Sequence, residues 1–395
     1  MRTQAAKSLP VIMYHYVNDC AGGTSVSPGC FEDHCRTLAE AGWRGVSLEE
    51  AEAFLTRGET LPRGSALFTF DDGFLDNYLE AMPLLQKYGH QGVVFAVSAR
   101  LEKGGHIRAI GADPEKAAAG APPAVPVPDT PVPDMPASDR SAPDTAGANG
   151  ADDWRALYRR PLIRNARGHS LRRDVFCSHG EVRAMEKSGV LAVASHSRAH
   201  LGVCTGPEFA DFIRPGDQPR TFYLTGGRHI WGMPAFPVRA GLAHRAFVPA
   251  PELEEAVLRL VPQDYAEAAA FFADEGKRQQ LRRLVKGFEG KLGVFESDAE
   301  RQARMWQEIA GGKKELEGIT GRERSSLCWP WGEYCEEAFR LAREAGFKVF
   351  FTVREGPNPP GAPYAVRRFK GKARSGAWLL SRLRIYARPL LGALY

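Results

Sequence analysis

Leu67-Phe68-Thr69-Phe70-Asp71-Asp72-Gly73 runs from an apolar strand straight into two adjacent carboxylates and a glycine. Working outward from it, strands and helices alternate. Before it come a strand over Pro10–Val17 that ends near His15, a helix over Phe31–Gly42, a short strand at Trp43–Val46 and a helix capped by Ser47 with Glu50 three residues on. After it come a helix through Tyr78–Tyr88, Gly89 as its stop, and the strand Gly92–Val97. This alternation implies a parallel sheet with crossover helices, either open or closed into a barrel.

The 395 residues are many for one compact domain but within reach of a barrel with insertions. Six segments are expected. Residues 1–101 form the first part of the barrel. Residues 102–165 form an insertion whose Ala, Pro, Asp and Gly cannot bury enough apolar surface to offset the ordering entropy, so disorder is predicted there. Residues 166–203 hold a helix over His179–Ser188 and the strand that delivers a His pair. Residues 204–319 are a mostly helical insertion or lid, residues 320–370 the last part of the barrel, and residues 371–395 a basic amphipathic tail.

The net charge of +5 says little, but its placement says more. Eight Arg and Lys and no acidic residue occur between Val366 and Tyr395. Trp378–Tyr386 alternates apolar and cationic residues, so peripheral contact with an anionic membrane is expected of the tail. It contains no nucleic-acid-binding module, and no nucleic-acid partner is expected. Seven cysteines, an odd number without a Cys-x-x-Cys pair, indicate free thiols rather than a zinc ribbon or disulfide framework. Met1–Pro10 lacks the apolar core of a secretory signal, and no apolar stretch is long enough for a membrane span. A cytoplasmic protein is the resulting expectation.

An Asp-Asp-Gly triplet alone most often caps a turn. Ser195-His196-Ser197-Arg198-Ala199-His200 changes that reading, because two His four residues apart share one face of a helical turn and can close on one ion. At the carboxyl ends of the strands, Asp71, Asp72, His196, His200, the turn Pro330-Trp331-Gly332 and His15 can reach one cleft. Two His and a carboxylate around a divalent ion leave positions open for water and substrate, and the other carboxylate is free to act as a base. The chemistry indicated is metal-assisted hydrolysis of an amide or ester.

Thr69–Gly73, Ser195–His200 and Trp329-Pro330-Trp331-Gly332-Glu333-Tyr334 resemble the first three motifs of the polysaccharide deacetylase family, the NodB homology or carbohydrate esterase family 4. Met13-Tyr14-His15-Tyr16-Val17 resembles the opening strand of its poly-N-acetylglucosamine deacetylase branch. The resemblance covers residues 8–101, 176–203 and 320–370. It implies an α/β fold, a distorted (β/α) barrel of about seven strands, and removal of an N-acyl group, chiefly acetyl, from an amino sugar, polysaccharide or glycolipid precursor. It further implies Asp71 as the catalytic base, and Asp72, His196 and His200 as ligands of zinc, with cobalt or nickel as alternatives. The Trp331 N–H would be an oxyanion donor. No His follows His244 to serve as the family's usual C-terminal acid, and the resemblance to the branch that carries this His at its start implies His15 as the catalytic acid. Cys328 stands where the third motif usually carries an Arg that orients the base. The alternative reading is therefore a catalytically impaired carbohydrate-binding protein on the same fold.

Overall fold

The computed structural model describes residues 4–19, 24–109, 175–215 and 230–392, with the backbone of two short strands, Leu162–Arg164 and Ser170–Arg172. Most of the Pro- and Ala-rich insertion, where disorder is predicted, lies outside the described residues.

Eight parallel strands form the central sheet: β1 (Val11–Tyr14), β2 (Arg44–Gly45), β3 (Ser65–Asp72), β4 (Gly92–Ala96), β5 (Leu191–Ser195), β6 (Ser326–Cys328), β7 (Val349–Phe351) and β8 (Phe369–Lys370). Their order is β7-β6-β5-β4-β3-β1-β8, with β2 beside β3. The segment that leads into β8 joins the two edges. Val366 donates its N–H to Phe350 and accepts from Thr352, while Phe369 and Lys370 pair with Ile12 and Met13 of β1. The sheet is thus a curled, distorted barrel with seven strands along its path, as the family resemblance implies; the alternating pattern alone leaves an open and a closed sheet equal.

Parallel strands are covered on both faces, so their sequences are apolar almost throughout. In β3, Phe68 and Phe70 pack outward with Ile12, Val94 and Leu191 beneath the helices, and Leu67 packs inward with Val11, Val93, Phe95 and Phe351. The two-residue period therefore turns Thr69 and Asp71 inward as well. This is how an acid comes to stand inside the barrel.

Helices connect the strands. α1 (Pro28–Glu40) starts at an Ser27 cap, and α2 (Leu48–Arg57) has the full Ser47–Glu50 capping box and a left-handed Gly58 stop. A π-helical turn at Asn77–Ala81 precedes α3 (Met82–Lys87), and α4 (His179–Ser188) carries a second capping box, Ser178 with Glu181. In the insertion after β5, α5 (Pro251–Leu260), α6 (Tyr265–Ala273) and α7 (Glu275–Lys286) share their own core of Leu253, Val257, Phe271, Leu281 and Val285. The chain returns through α8 (Asp298–Trp306), a π-helical turn at Gln307–Gly311 and α9 (Gly312–Thr320). α10 (Glu336–Glu344) links β6 to β7.

The tail is used differently from the expectation. α11 (Gly376–Tyr386) buries Leu379, Leu383 and Tyr386 in the same core as Phe31, Cys35 and Leu38 of α1. These apolar residues face the protein, so they do not support the membrane contact expected of the tail. Among the described residues, no helix is long and apolar enough to cross a membrane.

Candidate active site

Asp71, at the carboxyl end of β3, is held by a cation from the segment leading into β8, on the far side of β1. Arg368 donates from Nη1 to Asp71 Oδ1 at 2.7 Å and from Nη2 to Oδ2 at 2.9 Å. Its Nε–H goes to the Thr352 carbonyl at 2.8 Å, and Nη1 also reaches Thr69 Oγ1 at 3.2 Å. The pair is buried, with the Arg368 side chain fully enclosed. Burial pushes the Asp71 carboxyl upward, but Arg368, then His196 and His15, outweigh it and hold the group below the usual carboxylate range.

Sequence reasoning missed Arg368. It looked for the orienting cation two residues before Pro330, where Cys328 instead places Sγ 3.8 Å from Asp71 Oδ1, and counted Arg368 among the basic residues of the tail. No local signal separates Arg368 from Arg367, which lies between the same two apolar residues, Val366 and Phe369. The guanidinium sought beside β6 arrives on the chain that closes the barrel.

Asp72, His196 and His200 come together beside this pair. Asp72 Oδ1 lies 3.7 Å from His196 Nε2 and 3.9 Å from His200 Nε2, and the three ligand atoms fall within 4.8 Å of one another. The helical turn expected from the i, i+4 spacing does not form. After β5 the chain bends through a non-helical loop in which Ser197 and His200 have left-handed backbones, with φ of 66° and 55°. His200 donates its N–H to Ser197 Oγ at 3.1 Å, which tightens the loop.

The donor set fits a divalent ion. His196 donates Nδ1–H to the Cys328 carbonyl at 2.8 Å, which leaves a lone pair on Nε2 facing Asp72. Burial lowers the pKa of both imidazoles, against the pull of Asp71 and Asp72 on His196 and of Asp72 on His200, which falls to about 3. Both rings are therefore neutral donors near pH 7. Tetrahedral ligands at about 2.0–2.1 Å from zinc sit roughly 3.3 Å apart. The spacings of Asp72 Oδ1 from the two imidazoles, 3.7 and 3.9 Å, exceed this by roughly half an ångström.

His15 follows β1 and sets Nε2 4.0 Å from Asp71 Oδ2, while its buried Nδ1 has no hydrogen-bond partner among the described residues. Its carbonyl accepts from Asn77 Nδ2 at 2.9 Å, a residue of the first π-helical turn. Trp331, after β6, rests its ring on His200 with centroids 4.1 Å apart. The structure thus gathers all six residues singled out in the sequence around the strand ends.

Backbone strain is confined to the same place. Among the described residues, the non-glycine residues with positive φ are Asp72 (76°), Ser197 (66°), His200 (55°) and Trp331 (53°). Each such conformation costs about 1–3 kcal/mol and persists only where its surroundings enforce it. All four belong to this cluster, two of them among its three potential ligands.

No family model matches the chain. Over 97 residues it is 33% identical to YxkH of Bacillus subtilis (strain 168), provisionally named a polysaccharide deacetylase; that match spans 25% of this chain and 34% of the relative. A solved de-N-acetylase from Aggregatibacter actinomycetemcomitans aligns with a TM-score of 0.55 at 19% identity, covering 95% of this chain and 99% of that one. The chain carries the polysaccharide deacetylase fold. The BpsB deacetylase domain from Bordetella bronchiseptica aligns with a TM-score of 0.52 at 18% identity, over 92% of this chain and 96% of the domain. In (β/α) barrels active sites sit at the carboxyl ends of the strands, where Asp71, Asp72 and His196 stand here.

Proposed function

We propose that this protein is a metal-dependent hydrolase that removes an N-acyl group, chiefly acetyl, from an amino sugar in a polysaccharide or glycolipid precursor. The observation that carries the reading is the division of two adjacent carboxylates. Asp71 is turned inward and fixed by Arg368, whereas Asp72 is turned by its left-handed backbone toward two neutral imidazoles.

A divalent ion on Asp72, His196 and His200, zinc by its donor set with cobalt or nickel as alternatives, supplies Lewis-acid chemistry, lowering the pKa of water and polarising a carbonyl oxygen. Asp71 accepts the proton of the water that attacks the acyl carbon; Arg368 fixes the carboxylate so that no reorientation is needed. The Trp331 N–H donates to the oxygen that becomes negative in the tetrahedral state. His15 gives a proton to the sugar nitrogen as the C–N bond breaks, and the products are a free amine and a carboxylate. The buried Arg368–Asp71 pair weighs against the impaired binding protein, because the orienting cation is present.

Metal analysis of the purified chain, followed by mass-spectrometric screening of N-acetylated sugars, tests the reading. About one ion per chain and loss of the acetyl mass from an amino sugar are expected. A bound ion with no hydrolysis of any acetamido sugar favours the binding protein instead.

A further inference from the structure

The loop that carries the His pair rests on one buried carboxylate from the long returning helix. Glu308 lies in the π-helical turn Gln307–Gly311 and is 5% exposed. Its Oε2 accepts the Ser197 hydroxyl at 3.0 Å and the Ala199 N–H at 3.1 Å, and its backbone carbonyl accepts the Arg198 N–H at 2.8 Å. Ser197 Oγ in turn accepts the His200 N–H at 3.1 Å. One residue thus secures three consecutive loop residues and, through the Ser197 hydroxyl, the backbone of His200. Among the described residues no cation pairs with Glu308, so its charge is spent on this loop.

Glu308 makes these contacts from within the π-helical turn. Met305 and Ile309, on one face of this helix, stay in the core with Trp329 while Glu308 faces the loop. The approach is close. A Cβ at Gly312, the residue after the turn, would meet Arg198 N at 2.7 Å, so a larger residue would push the loop away. Ser197 and His200 hold left-handed backbones; Glu308 fixes the Ser197 side chain, and the Ser197 hydroxyl in turn fixes the His200 N–H.

We infer that Glu308 is a positioning residue for ion binding: it holds the Ser197–His200 loop in the strained form that aims His196 and His200 at Asp72. The inference rests on the reading of Asp72, His196 and His200 as ligands. It assigns the helix that ends the insertion a task at the active site, which couples the insertion to ion binding.

The test is zinc affinity of the full chain by competition with a chromophoric chelator, with the visible spectrum of the cobalt-substituted protein as a readout of coordination geometry. Thermal unfolding of the ion-free protein monitors folding. Glu308→Ala is expected to weaken zinc about 10–100-fold, the range typical of groups that orient metal ligands, and to alter the cobalt spectrum. Glu308→Gln is expected to recover most of the affinity, because both side-chain bonds converge on one oxygen that an amide carbonyl can replace. If the alanine variant does not fold, Ser197→Ala carries the test, with a several-fold loss expected. Wild-type affinity and spectrum in Glu308→Ala, or in Ser197→Ala where that variant stands in, overturn the positioning role, provided that His196→Ala has lost the ion. If His196→Ala binds zinc as the wild type does, the ligand assignment fails and the inference falls with it.

Discussion

Arg368 and Asp71 form a buried, doubly hydrogen-bonded ion pair in the barrel interior, with Arg368 the first among the groups that favour the Asp71 carboxylate. Removing one partner of such a pair leaves a buried, uncompensated charge, which costs about 3–5 kcal/mol. Arg368→Ala is therefore expected to lower stability by about that amount in urea unfolding, and to cut turnover because the base is no longer fixed. A stability change within 1 kcal/mol, roughly the value of an exposed ion pair, would contradict this. Asp71, Asp72, His196 and His200 were legible because their residue types and order are distinctive. Arg368 was not, because its partner lies 297 positions away in sequence and nothing local distinguishes it from its basic neighbours. The left-handed Ser197 and His200 were equally hidden, since neither is a residue whose presence announces that conformation.

At the scale of elements, two imidazoles outside the site tie helices to the sheet. His90 Nδ1 accepts the Gly45 N–H at 3.0 Å and its Nε2–H donates to the Cys35 carbonyl at 2.9 Å. His34 accepts the Tyr14 hydroxyl at Nδ1 and donates from Nε2 to the Arg374 carbonyl, at 2.9 and 2.7 Å. Burial lowers both pKa values, against the backbone hydrogen bonds that raise them. With the folded pKa below the unfolded value of about 6.5, the unfolded chain binds more protons as pH drops. Their contribution to stability is full above about pH 6.5 and is lost as pH falls toward the folded pKa values. The urea midpoint should fall from pH 7 to pH 5, and His90→Gln should make that slope shallower; the same slope in both proteins would contradict the assignment to His90. Helix starts were legible at this scale, since Ser47–Glu50 and His179 with its Ser178 cap declare themselves chemically. The π-helical turns were not, because one extra residue barely disturbs a helical period within a single turn.

For the whole molecule, the closure of the barrel and the docking of α11 are the features that sequence periodicity does not reach. Alternating strands and helices fix the layers, but not whether the sheet closes, which depends on the pairing of residues 366–370 with both edges. Composition likewise misread the tail: its cations face outward and were conspicuous, while Leu379, Leu383 and Tyr386 complete a core whose other half lies far away in sequence. Leu383→Ala should cost about 2–5 kcal/mol, as for a fully buried core leucine. A loss below 1 kcal/mol would show that α11 is not docked. The insertion after β5 has a separate apolar core, yet it returns through the helix that bears Glu308, so barrel and insertion meet at the site.

Acetate release from N-acetylglucosamine oligomers, measured beside ion content for the wild type, the chelated protein and Asp71→Asn, bears most directly on the proposed chemistry. Chelation should abolish release and added zinc should restore it. Asp71→Asn should keep its ion while losing about 10²–10⁴-fold in turnover, the range for a general base. Undiminished release after chelation, or near wild-type turnover in Asp71→Asn, would contradict a metal-dependent deacetylase with Asp71 as its base.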